Sequence, residues 1–326
     1  MPMSDSWQIP PEFQPEPHGL AYDLDQTLDG IVALRARVAE DAFTAEVLGT
    51  ERAGQGAVIR ADGLVLTIGY LITEAEEVWL TTNEGRTVPA HALAYDYESG
   101  FGLVQALAPL RAPALVLGDS RNLTPGTEVV VGGAGGRARS LAAQVVARQE
   151  FAGYWEYLLE DAIFTAPAHP NWGGTGLIGA RGELLGIGSL QLQHETPSGR
   201  VVPLNMSVPI DHLKPILDDL LRLGQVARPV RPWLGLYARE NEGDQVVIIG
   251  LAGRGPAQKA DLHVGDVVHA VAGATITSLV SFYRAIWALG EAGVDVPLTL
   301  EREGDLFDVN VSSGDRSRFL KSPRLQ

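Results

Sequence analysis

The hydrophobic pattern of the chain changes character once before its last third. From residue 30 to about 208, short apolar runs such as GIVALRARV (30–38), GAVIR (56–60), TEVVVGG (127–133) and RVVPLNMSV (200–208) alternate with turn-forming stretches. Many short strands at this spacing predict a sandwich or a barrel. At 210–223 the period becomes helical: Ile210, Leu213, Ile216, Leu217, Leu220 and Leu221 fall three and four apart, and Gly224 is placed to end the helix. Residues 226–231 then read as a linker, because the prolines around them forbid helix. A second unit follows, with strands WLGLYAR and QVVIIGL, an amphipathic helix near 278–289 and a strand pair over 296–312.

This divides the chain into an extended, polar, Pro-rich arm (1–27), a β-rich domain (28–225), the linker (226–231), a second domain (232–313) and a basic tail (314–326). The 37 Gly and 20 Pro among 326 residues suit a turn-rich, mainly β protein. The net charge of −15 argues against nucleic acid and anionic membranes as partners. The absence of cysteine excludes disulfides, thiol catalysis and Cys-held metals, and the seven scattered His form no metal-binding pattern. No cofactor or metal is expected. The N-terminal segment lacks the basic and apolar regions of a signal peptide, and no apolar run is long enough to span a membrane, so the sequence predicts a cytoplasmic protein.

The loop Pro-Ala-His-Pro-Asn-Trp-Gly-Gly-Thr-Gly (167–176) carries the first candidate chemistry. It is similar to the nucleophile loop of chymotrypsin-like serine proteases, Gly-Asn-Ser-Gly-Gly-Pro, with Trp172 in the place of the Ser. Three further stretches resemble the HtrA/DegP family: Gln55–Ile59 with Asp62–Thr67, Asn205–Gly224, and Gly255–Leu262 with Val264–Val268. The resemblance covers about residues 30–313 and implies a chymotrypsin-like double β-barrel followed by a PDZ domain. It also implies trimers built through N-terminal aromatic residues, here Trp7 and Phe13.

Matched position by position, the family's His falls on Tyr70, its Asp on Gly100 and its Ser on Trp172. Acyl transfer by this mechanism needs a hydroxyl, a base that titrates near the working pH and a carboxylate that orients the base. Tyr70 is a poor base, Gly100 has no side chain and Trp172 has no attacking atom. Loss of the nucleophile alone costs about a millionfold in rate, roughly 8 kcal/mol of barrier. The expectation is a non-catalytic, pseudoenzyme member of the family that binds peptides or partner C-termini as scaffold, sensor or holdase. The alternative is an active serine-type endopeptidase with a non-standard catalytic site, for which His169, Thr175, Ser189 and His91 are the candidate residues.

The second domain keeps the parts that the resemblance assigns to peptide binding. Trp233-Leu234-Gly235-Leu236 resembles the loop whose backbone N–H groups hold a terminal carboxylate, and Tyr237 lies on the strand to which a peptide would add. Leu279, Phe282 and Ile286 share one helix face, facing either the side-chain pocket or the core. Arg228 and Arg231 could attract the carboxylate. One rival signal remains, the G-x-G-x-x-A pattern of Gly133–Ala138 after a strand, which would bind a dinucleotide if a helix and a parallel strand followed.

Overall fold

The computed structural model describes residues 7–195 and 199–321. It forms two compact units. One is built from the residues up to Gln149, Asp161–Val226 and the segment from Lys321; the other comprises Glu150–Glu160 and Ala227–Leu320.

The first unit holds two closed antiparallel barrels. Strands β1 (Ile31–Val38), β2 (Glu51–Val58), β3 (Leu64–Ile68), β4 (Ala75–Thr81), β5 (Thr87–Tyr95) and β6 (Phe101–Ala106) close in the order β1-β2-β3-β6-β5-β4. Strands β7 (Glu128–Gly132), β8 (Leu141–Gly153), β9 (Tyr157–Ala166), β10 (Gly176–Ile178), β11 (Leu184–Glu195) and β12 (Val201–Pro209) close in the order β10-β11-β12-β9-β8-β7. β1 shows why these runs become strands. Leu34, Ala36 and Val38 point inward while Arg35 and Arg37 face solvent, the alternation that one buried sheet face requires. Closure leaves neither sheet with an open edge. β8 and β9 form a hairpin whose tip is the Glu150–Glu160 segment of the second unit.

Two local expectations are corrected here, and a rival signal is resolved. The arm is not simply extended. Asp23 caps helix α1 (Leu24–Leu28) by accepting the Gln26 N–H, and Leu24 and Leu28, four apart, bury that helix. Ile9 is also buried, and its N–H reaches the Ala138 carbonyl at 2.8 Å. A four-residue helix α2 (Ala45–Leu48) links β1 to β2. The helix expected over 210–223 is shortened to α3 (Leu217–Leu223), because Pro215 has no N–H to give and disfavours helix just before itself. Gly224 does end it, in the left-handed conformation. The stretch Gly133–Ala138 leads into a short 3₁₀ turn (Arg137–Arg139) between two antiparallel strands, so no dinucleotide-binding βαβ unit exists there.

The second unit is a sheet of β13 (Leu236–Glu240), β14 (Val246–Leu251), β15 (Val267–Val271), β17 (Asp295–Arg302) and β18 (Asp305–Ser312) in the order β13-β14-β15-β17-β18, with β16 (Ala274–Thr275) on β15. Helices α4 (Pro256–Lys259) and α5 (Leu279–Trp287) complete it. α5 starts at a reciprocal capping pair, Ser278 and Ser281. The expected tail is partly ordered: Asp315 caps a 3₁₀ turn (Arg316–Phe319), and the Phe319 ring lies 4.8 Å from that of Trp233. Residues 1–6 of the arm and 322–326 of the tail lie outside the described residues. Among the described residues, no helix is long and apolar enough to cross a membrane.

Candidate functional site

The three positions matched to the protease triad come together between the two barrels. Tyr70 sits in a 3₁₀ turn, Gly69–Leu71, that is pinned to Gly100 by the Gly69 N–H donating to the Gly100 carbonyl at 2.7 Å. The Tyr70 hydroxyl donates to the Ser189 carbonyl at 2.8 Å. It also borders the loop that carries Trp172, since a Cβ on Gly173 would lie 2.7 Å from it. Burial pushes the Tyr70 phenol above its ordinary value, with Trp172 beside it opposing the shift, so Tyr70 stays protonated.

Gln55 holds this loop to the first barrel. Its N–H donates to the Gly173 carbonyl at 2.9 Å and its side-chain amide to the Asn171 carbonyl at 2.6 Å. Gly174 is in the left-handed region, and a Cβ there would meet the Gln55 carbonyl at 1.8 Å, so only glycine fits. Pro170 stands where the protease loop begins with Gly and has no N–H to offer a developing oxyanion.

The alternative residues are partly engaged elsewhere. His169 is buried. Its Nε2 faces the Arg139 carbonyl at 2.8 Å and its Nδ1 accepts the Asn171 N–H at 3.1 Å, which assigns the neutral ring with its proton on Nε2. Burial lowers its pKa further, against the two hydrogen bonds. The Trp7 ring meets it edge-on at 5.6 Å. The Thr175 hydroxyl donates to the Trp172 carbonyl at 2.9 Å. Ser189 is buried on β11, and His91 lies on β5 of the first barrel.

The loop before β13 has a different character. The Leu234 carbonyl accepts from Ala257 at 2.7 Å and the Gly235 carbonyl from Ala252 at 2.8 Å. In a trans peptide the N–H points opposite to the C=O, so these two bonds aim the Gly235 and Leu236 N–H groups away from the unit's own backbone. Gly235 itself needs φ of +74°, which favours glycine. The N–H groups of Leu234, Gly235 and Leu236 converge on one carboxylate, that of Glu156 at the tip of the β8–β9 hairpin, at 3.0, 2.7 and 3.1 Å.

Burial pushes Glu156 up to about 7, even though the three N–H donors and the nearby Arg316 guanidinium favour its charged form. Leu279, Phe282 and Ile286 all lie in the buried core of this unit, together with Leu158 of the hairpin. Tyr237 is half-buried, with its ring 6.0 Å from that of Tyr154. Arg231 lies over the Trp287 ring at 4.3 Å. Sequence reasoning missed Glu156. An acidic residue in an aromatic hairpin turn carries no motif, and its role depends on a contact 78 residues along the chain.

Comparison with known proteins adds two domain matches: a trypsin-like peptidase domain over residues 54–187 and a PDZ domain over 232–312. The chain is 28% identical over 274 residues to a probable periplasmic serine endoprotease, DegP-like, of Halomonas elongata, covering 80% of this chain and 56% of that protein. It is also 28% identical over 297 residues to the periplasmic pH-dependent serine endoprotease DegQ of Escherichia coli strain K12, covering 85% and 63%. It thus spans about three-fifths of the length of such relatives. Among solved structures, the HtrA-type protease AlgW is similar in fold. Its decapeptide complex gives a TM-score of 0.53 at 18% identity over 92% of this chain and 98% of that one. Its tripeptide complex gives 0.51 at 17% over 92% and 97%.

These findings correct two expectations. A non-catalytic, pseudoenzyme reading is overturned by relatives named as serine endoproteases across four-fifths of the chain, and a cytoplasmic location by their naming as periplasmic. The first expectation took three altered side chains as decisive, which holds only if catalysis must use the family's own arrangement. The second was read from the first residues of the chain, which do not determine the compartment. A trypsin-like peptidase domain followed by a PDZ domain, with relatives named DegP-like and DegQ, makes the chain HtrA-like in its domain organisation.

Proposed function

We propose that this chain is a serine-type endopeptidase of the HtrA class with a non-standard catalytic site, working in the periplasm on polypeptides whose C-termini it engages through the PDZ domain. The observation that carries the peptide half is the convergence of three backbone N–H groups on one carboxylate at Leu234–Leu236. A free C-terminus presents the same group to the same donors. β13 is the edge strand of its sheet, the place where an extended peptide adds by backbone hydrogen bonds. Tyr237 would flank the added peptide, and Leu279, Phe282 and Ile286 would build the wall that receives its last side chain.

The hydrolytic half is supported by the names of the relatives. Since Trp172 and Gly100 supply neither nucleophile nor carboxylate, the attacking oxygen in this reading comes from a nearby hydroxyl, Thr175 or Ser189, both buried in this structure. Incubation of the purified full chain with fluorescein-labelled casein tests it. Cleavage that falls by about tenfold or more in Thr175→Val or Ser189→Ala supports the assignment. Casein left intact by well-folded protein contradicts the hydrolytic half and leaves the peptide half to be judged by binding.

A further inference from the structure

The PDZ loop is already filled by the chain's own acid. We infer that the β8–β9 hairpin tip is an internal pseudo-ligand, and that a peptide C-terminus must displace Glu156 from the Leu234–Leu236 loop to bind. The inference rests on the peptide half of the proposed function and concerns the regulation of that same site.

Four observations point the same way. The Glu156 carboxylate accepts all three of the loop's N–H groups, leaving the cradle no donor for a second carboxylate. The tip also copies a peptide's backbone contact: the Ala238 N–H of edge strand β13 donates to the Tyr154 carbonyl at 2.9 Å. The far wall holds the tip as well. The Tyr283 hydroxyl on α5 donates to the Gly153 carbonyl at 2.7 Å and accepts the Glu156 N–H at 3.2 Å, while Arg284 pairs with Glu150. Leu158 joins the apolar core beside Phe282 and Ile286, as a ligand's last side chain would. Carboxylate, strand contact and apolar anchor all occupy the space between β13 and α5.

The tip is held under tension in one respect. Glu156 has φ of +59°, in the left-handed region that favours glycine. Here the strained residue is the one whose carboxylate reaches the loop. A tethered plug acts at high effective concentration and lowers the apparent affinity of any free peptide by the fraction of time the site is open.

The test uses the full chain and a fluorescein-labelled heptapeptide ending in Leu, with either a free or an amidated C-terminus. Glu156→Gly removes the plug's carboxylate and suits the left-handed turn. The inference expects this variant to bind the free-acid peptide at least tenfold more tightly than the wild type, with little binding of the amide by either. Equal free-acid affinity for both, with the amide still excluded, overturns the plug and leaves the C-terminus reading intact. Absence of any free-acid preference in both overturns the C-terminus reading and the plug with it. Hydrogen exchange on the wild type gives an independent check: a saturating free-acid peptide should deprotect the Glu156 amide, and unchanged protection overturns the inference.

Discussion

Glu156 is an acid taken out of water and given backbone amides in exchange, and the balance between these two effects sets its pH response. Burial is the larger effect and raises its pKa from 4.5 to about 7. An acid whose pKa is higher when docked binds more protons in the docked state. Docking is therefore strongest below about pH 4.5, weakens as pH rises to about 7, and is level above that. The other groups facing it do not titrate in this window. Tyr283 on α5 is raised above its ordinary value, and the loop before β13 presents only backbone. The wild type should accordingly bind the free-acid peptide roughly 70-fold more tightly at pH 8 than at pH 5, with a flat profile in Glu156→Gly. Parallel profiles would remove Glu156 as the titrating group.

At the same scale, Gly174→Ala should lower unfolding stability by about 2–4 kcal/mol in urea titration, because both its φ of +81° and the Gln55 carbonyl exclude a side chain. The residues of the groove were readable in the sequence because Gly-rich loops carry a fixed spacing. Glu156 was not, since its partners lie 78 to 80 residues away and a turn carboxylate looks like any solvated one.

At the scale of elements, strands and their order were legible where apolar and polar residues alternate, as in β1. Helices were legible where apolar residues recur three and four apart, as with Leu279, Phe282 and Ile286 on α5. The misread elements had a competing local signal, Pro215 cutting short the helix before Gly224 and Asp23 starting one inside the arm. The hairpin tip depends on α5 through one hydroxyl. Tyr283→Phe leaves the Gly153 carbonyl without that donor, and the unpaired group costs about 1–3 kcal/mol. Calorimetric titration should therefore find the free-acid peptide bound several-fold more tightly by Tyr283→Phe than by wild type. Weaker binding would mean that Tyr283 contacts the peptide instead of the plug.

At the scale of the whole molecule, the chain combines a PDZ-domain loop whose three N–H groups meet one carboxylate with a trypsin-like domain in which Tyr70, Gly100 and Trp172 stand at the positions matched to the triad. The fold was legible because the motifs occur in order along the chain. The activity was not, because a residue-by-residue comparison detects a lost arrangement and says nothing of a replacement. The most direct measurement of the central claim, that Leu234–Leu236 is a carboxylate site, is amide NMR of the full-length Glu156→Gly variant. The account predicts that the Leu234, Gly235 and Leu236 amide resonances shift together on addition of the free-acid peptide and stay in place with its amidated twin. Resonances that ignore both peptides, or respond equally to both, would contradict it.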